Sequence, residues 1–164
     1  MQRLFEQRCT ADQRRQDMKL FFDTSALVKF FHEEEGSDEV TALINSPENE
    51  IWISELARLE FISALFRRFR NNEIDDARLN EAISGFDEEL ASFNIETLGH
   101  AAIQEAESLL KKYGKTYGLR TLDALHLGAF SLISEKDWIF VSADKNLCDI
   151  VQVFGFTAIN PVKI

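Results

Sequence analysis

The sequence predicts an α/β fold: one domain whose central, mostly parallel sheet of about five strands carries helices on both faces. Three observations predict it. Short apolar runs alternate with helical patterns along the chain. The strongest runs, Leu20-Phe21-Phe22 and Trp138-Ile139-Phe140-Val141, are continuous, as in strands buried on both faces. No repeat or linker-like tract interrupts the 164 residues, which contain only two Pro and seven Gly.

The elements follow in order. Residues 1–17 are polar and mixed in charge, and read as a poorly ordered extension ahead of a domain at 18–164; Met18 could serve as an alternative start. A strand at 19–23 leads into a helix at 25–33. Glu33, Glu34 and Glu35 make a solvated acidic break closed by Gly36. Ser37 is expected to cap a helix reaching residue 45, with Val40, Leu43 and Ile44 on one side. A turn at 46–49 precedes a short strand at 51–53. Ser54 is placed to cap a helix at 55–70, where Leu56, Leu59, Ile62, Phe66 and Phe69 recur at three- and four-residue steps. Phe61 and Leu65 add a second apolar flank, wider than one core-facing stripe, so Phe61, Leu65 and Phe69 are assigned to a partner or second subunit. Asn71-Asn72 ends that helix, another runs over 75–91, and the alternating segment 94–98 reads as a third strand. Gly99 precedes a helix at 100–113 with Ala102, Ala106, Leu109 and Leu110 along one side. Then come a basic loop at 115–120, a helix at 121–133 burying Leu122, Leu125, Phe130 and Ile133, and a strand at 138–141. A helix at 147–154 and an edge strand at 157–159 close the domain.

Composition narrows the function. At 45% hydrophobic residues the chain can fill a core. A net charge of −10 argues against broad, nonspecific nucleic-acid binding, leaves room for a local basic rim, and invites a basic partner. No apolar run approaches the roughly 20 residues of a membrane span, and no apolar secretory segment opens the chain. Cys9 and Cys148 lack metal-type spacing. A reduced, cytoplasmic setting is expected.

The chemistry-bearing residues are acids. Asp23 and Asp144 both follow apolar strand runs, and parallel strands carry them to the edge where open α/β sheets gather function. Asp123 lies in the first turn of a helix. Glu60 lies within a helix, flanked one turn away by Leu56, Ala57, Ser63 and Ala64, where a buried carboxylate is costly unless paired or metal-bound. Singly, each has a plainer explanation: N-caps for Asp23 and Asp144, the helix dipole for Asp123, a solvated rim for Glu60. Jointly they predict a site for a hard cation, Mg²⁺ or Mn²⁺. Glu55, five residues before Glu60, faces another side. His32, His100 and His126 lack paired ligand spacing and read as structural, although His126 lies one turn from Asp123 and could approach the site. No GxSxG, Walker A or GxGxxG pattern occurs.

Four segments, FFDTSALVK, SELARLEFISAL, RTLDALHLGA and FVSADKNL, occur in this order. Together they resemble PIN-domain ribonucleases, and among those the VapC-type toxins of bacterial toxin–antitoxin pairs, over residues 18–164. The resemblance implies a catalytic, metal-holding cluster of Asp23, Glu60, Asp123 and Asp144. Thr24 or Ser25, and Ser142, match its supporting hydroxyls. Asn146 stands where many relatives have another Asp, a departure that weakens a second ion's site. The resemblance further implies Mg²⁺- or Mn²⁺-dependent hydrolysis of RNA to 5′-phosphate and 3′-hydroxyl ends. It implies a homodimer, and an antitoxin that inhibits by placing a basic side chain in the acidic pocket. Lys29, Arg58, Lys115 and Arg120 are candidates for phosphate contacts. Two alternatives stand beside it: an aspartyl-phosphate phosphatase of the haloacid dehalogenase type, which expects a second Asp where Ser25 stands, and a non-catalytic binding module on the same fold.

Overall fold

The computed structural model describes residues 17–162, so the expected extension lies outside the described residues except for Asp17. The elements are β1 (Lys19–Phe22), α1 (Thr24–Phe31), α2 (Ser37–Asn45), β2 (Glu50–Ser54), α3 (Glu55–Arg70) and α4 (Asp76–Leu90), followed by β3 (Asn94–Glu96), α5 (His100–Tyr117), α6 (Thr121–Ile133), β4 (Ile139–Val141), α7 (Lys145–Phe154) and β5 (Thr157–Ile159).

The sheet has the order β3-β2-β1-β4-β5 with every pairing parallel. The chain starts in the centre, builds outward through β2 and β3, then returns to lay β4 and β5 on the other side of β1. The strand order therefore reverses between β1 and β4, the place where open α/β sheets hold ligands. There Phe22 is paired with Val141, and the Asp23 amide donates to the Val141 carbonyl at 3.0 Å, extending the ladder by one residue.

Successive side chains of β1 point to opposite faces. Leu20 and Phe22 enter one core with Leu27, Ile53, Phe61 and Phe86; Phe21 enters the other with Leu127, Phe130, Phe140 and Ile150. Helices α5 and α6 approach closely at Gly128, where a Cβ would lie 2.8 Å from the Ala102 carbonyl oxygen. That close packing seats α6, which carries Asp123 and His126, against the sheet.

Several expectations need correction. The buried residues of α3 are Leu56, Ala57, Phe61 and Leu65, whereas Leu59 and Phe66 are 65% and 43% exposed. Phe61 stacks on Phe86 with centroids 3.9 Å apart, and Phe69 packs partly buried against the same core. The surface assigned to a partner is therefore core, and part of the assigned core stripe is surface. Both stripes share the helical period, so periodicity alone cannot say which one faces inward. Leu122, expected to be buried, is 47% exposed on the first turn of α6. Gly36, with φ at +90°, takes the N-cap of α2 in place of Ser37. The Ser37 hydroxyl instead accepts from the Glu34 amide and donates to the His32 carbonyl. Helix α5 continues to Tyr117, making Lys115 helical, and stops at Gly118 with φ at +68°.

Candidate active site

Asp23 directly follows the last paired residue of β1 and caps α1, its Oδ1 accepting from the Ala26 amide at 2.9 Å. Ser25 Oγ donates to both of its oxygens, at 2.8 and 2.9 Å, and Ser142 Oγ donates to Oδ2 at 2.7 Å. The residue is 4% exposed. Among the described residues no Lys or Arg side chain is hydrogen-bonded or ion-paired to it. Burial pushes its carboxyl above the ordinary value, and the field of His126 with the bonds from Ser142, Ala26 and Ser25 only partly offsets that. The two serines also bind the loop after β4. The Ala143 amide donates to Ser25 Oγ and the Asp144 amide to Ser142 Oγ, each at 3.0 Å. The hydroxyls thus lie across the switch point, each bonded to Asp23 and to the loop after β4.

Glu60 projects from α3 and is half-buried. Thr24 Oγ1 donates to its Oε2, and His126 Nε2 lies 2.6 Å from the same oxygen. Burial alone would raise its pKa, but the bonds from His126 and Thr24 and the charge of His126 outweigh it and hold the carboxyl below its ordinary value. His126 is 2% exposed. Its Nδ1 is 2.8 Å from Ser54 Oγ, and its Nε2 is also 3.2 Å from Thr24 Oγ1. Sequence reasoning gave this histidine a structural role; its position one turn past Asp123 was the signal that it could reach the acids.

Asp144 caps α7 by accepting from the Leu147 amide, and its Oδ2 accepts from Arg120 Nη2 at 2.9 Å. Arg120 Nε donates to Asp123 Oδ2, also at 2.9 Å. The Arg120 side chain is 71% exposed. The bond and charge of Asp123, then the charge of Asp144, raise its pKa.

The four acids therefore share one sheet edge and are joined in sequence. Thr24, next to Asp23 in the chain, bonds Glu60; Ser142 bonds the Asp23 carboxylate and the Asp144 amide; and Arg120 bridges the carboxylates of Asp144 and Asp123. Their all-oxygen donor set suits a hard cation. As the side chains stand, no group of three or more His, Cys, Asp or Glu among the described residues is arranged to hold a metal ion. Glu60 has turned its Oε2 to His126, and Asp123 and Asp144 share Arg120. Asp23, buried with no Lys or Arg bonded to it, is the acid whose environment a cation would change most.

The remaining candidates are scattered. Asn146 donates to the Tyr117 carbonyl at 2.9 Å, fastening α7 to the end of α5. Lys29 is buried and ion-paired with Glu34 at 3.2 Å, which removes it from a phosphate-binding rim. Arg58 lies 3.6 Å from Asp87 and is exposed. Lys115 is exposed on the last turn of α5. Glu55 accepts from the Leu98 amide, away from Glu60. Beside Glu60 lies an open cavity of about 570 Å³ whose walls include Thr24, Ser25, Leu59, Leu122 and Arg67. Sequence reasoning had not singled out Arg67, because a basic residue near a helix C-terminus looks ordinary.

The family pattern described as the PIN domain matches residues 20–152. No curated protein matches the sequence. Solved structures of the same fold include FitAcB from Neisseria gonorrhoeae, 14% identical, with a TM-score of 0.67 over 87% of this chain and 97% of that one. VapC20 of Mycobacterium tuberculosis, described as a sarcin–ricin-loop-cleaving toxin, is 16% identical, with a TM-score of 0.65 over 87% and 99%. A toxin–antitoxin complex from Klebsiella pneumoniae contains a chain 18% identical, with a TM-score of 0.60 over 88% and 99%. At these identities the likeness is one of fold.

Proposed function

The chain belongs to the PIN-domain family, and from that premise we propose that it is a VapC-type toxin: an endoribonuclease using Mg²⁺ or Mn²⁺, held in check in the cytoplasm by a cognate antitoxin. The observation that carries this reading is Asp23. It is a carboxylate buried at the switch point of a parallel sheet, stabilised by hydroxyls, an amide and the field of His126, with three further acids on the same edge. Such a group is costly to the fold unless a cation compensates it.

Asp23, Glu60 and Asp123 would hold the ion, with Asp144 completing the site or serving a second one. When bound, the ion supplies acidified water and neutralises charge on the phosphoryl oxygens. Ser25 and Ser142 orient Asp23 and favour its ionised form; Thr24 and His126 do the same for Glu60. Water adds to phosphorus and the P–O3′ bond breaks, leaving 5′-phosphate and 3′-hydroxyl ends. Arg120 must leave Asp123 and Asp144 for those acids to serve as ligands, and is then free to meet a phosphate. Arg67, on the wall of the cavity beside Glu60, would extend that rim, with Lys115 and Arg58 as further candidates. Without a cation the clustered acids repel RNA, so metal is needed for binding as well as chemistry. Family membership favours this chemistry over the aspartyl-phosphate alternative, in which Asp23 must itself be a free nucleophile; here both its oxygens accept from Ser25.

Exposed Leu59, Phe66 and Leu122, rather than the buried Phe61 and Leu65, are among the apolar residues available to an antitoxin or a second copy of the chain. The net charge of −10 favours a basic inhibitory segment. The decisive experiment incubates purified protein with RNA and Mn²⁺, with and without EDTA, beside Asp23→Asn, and maps the product ends. Cleavage should require Mn²⁺ and disappear in the variant. Full activity in EDTA, or in Asp23→Asn, refutes the reading.

A further inference from the structure

Ser54 stands at the N-cap of α3 with the extended backbone of a capping residue, φ −82° and ψ 154°, yet its side chain makes no cap bond. A serine oxygen at this position ordinarily accepts from a helix amide. Here the hydroxyl, fully buried, is turned to His126 Nδ1 at 2.8 Å. The opposite ring nitrogen meets Glu60 Oε2 at 2.6 Å. A carboxylate can only accept, so the Nε2 proton lies on the Glu60 side whichever way the Ser54 hydroxyl turns. Thr24 donates to that same oxygen. Both bonds fall on Oε2, and no hydrogen bond or ion pair to Oε1 occurs among the described residues.

We propose that His126 is a positioning residue for Glu60, with Ser54 fixing the ring, so that Oε2 is held and Oε1 is presented to a cation or its water. Any buried imidazole needs partners for both nitrogens, so what marks His126 is which partners it has. This one bridges the end of β2 to a carboxylate on α3, and it diverts a helix cap to do so. The inference rests on the nuclease reading and adds to it a connection through groups that touch neither ion nor RNA.

The test compares wild type, His126→Leu, His126→Gln and Ser54→Ala. Mn²⁺ binding to the RNA-free protein is measured by calorimetry, RNA cleavage by single-turnover kinetics, and folding by thermal melts. Gln can place an amide donor near the Nε2 position; Leu fills the volume and donates nothing. His126→Leu should weaken Mn²⁺ binding and cleavage by about 10–100-fold, the usual range for groups that orient ligands. His126→Gln should recover most of both, and Ser54→Ala should lose less than His126→Leu, with all three melting cooperatively. If His126→Leu binds Mn²⁺ and cleaves as wild type does, the inference fails while the nuclease reading stands. It also fails if Leu and Gln are equally impaired. If His126→Leu does not fold, Ser54→Ala decides: unchanged Mn²⁺ affinity overturns the inference. A wild type that neither binds Mn²⁺ nor cuts RNA overturns the nuclease reading, and this inference with it.

Discussion

Asp23 and Glu60 meet their surroundings through hydroxyls, an amide and an imidazole, whereas Asp123 and Asp144 share a guanidinium that is 71% exposed. The partners of the first pair are short or buried side chains: Thr24 and Ser25 on the first turn of α1, Ser142 directly after β4, and His126 on α6. The second pair is held by a side chain free to swing into solvent. The difference divides the edge into an inner half whose carboxylates are held by neutral donors and an imidazole, and an outer half whose negative charge is covered by Arg120. Within the inner half the acids also differ. Burial wins at Asp23 and raises its pKa, while hydrogen bonding wins at Glu60 and lowers it.

The sharpest way to break this comparison is Asp23→Asn. Cleavage should fall by about 10³-fold or more, since the ion loses its most buried ligand. Stability should rise, by on the order of 1 kcal/mol or about 2–4 °C in Tm, because a desolvated charge is removed and Asn can still cap α1. A variant that is inactive and also less stable would place Asp23 in the fold rather than the site. Glu60→Gln should lose cleavage too, yet move stability the other way. Giving up charge-assisted bonds from His126 and Thr24 costs roughly 1–2 kcal/mol. Denaturant melts of the two variants side by side test the opposite signs.

A smaller effect is expected in the outer half. Arg120→Ala should tighten Mn²⁺ binding by up to about tenfold, because exposed ion pairs are individually weak. It should weaken RNA binding, and that loss should shrink with added salt. Unchanged Mn²⁺ affinity would mean that Arg120 does not compete for the acids.

The smallest effect is a change in pH dependence. Glu60 is depressed in the folded protein, so its contribution is present above its ordinary value of 4.5 and is lost as pH falls through the folded value. Asp23 is raised, so the folded state holds its proton more tightly than the unfolded chain. Its contribution is greatest below 3.8 and declines as pH rises through the folded value. Stability measured from pH 3 to 7 should therefore climb less steeply with pH in Glu60→Gln than in wild type, and more steeply in Asp23→Asn.

Much of the fold was legible because strand burial writes itself into composition. Leu20-Phe21-Phe22 and Ile139-Phe140-Val141 carry no polar residue between them, and only a sheet covered on both faces uses such strands. The errors fell where two local patterns share one period. Helix α3 carries two apolar stripes, and the choice of Phe61 over Leu59 for the core was made by Phe86 on α4. Leu122 follows the same logic: a helix's first turn can run past the layer it packs on. The acids themselves were visible from their neighbours in sequence. Most of what each acid touches was not, because Ser142 lies far along the chain from Asp23, Arg120 from Asp144 and His126 from Glu60.

By itself, then, the sequence determined that parallel strands would end in acids on one edge, since alternating elements and continuous apolar runs admit few other arrangements. Only the tertiary structure decided which of those acids are buried among neutral donors and which are covered by an exposed arginine. Burial and hydrogen bonding depend on what other elements bring to within a few ångströms, and local sequence carries no record of that distance.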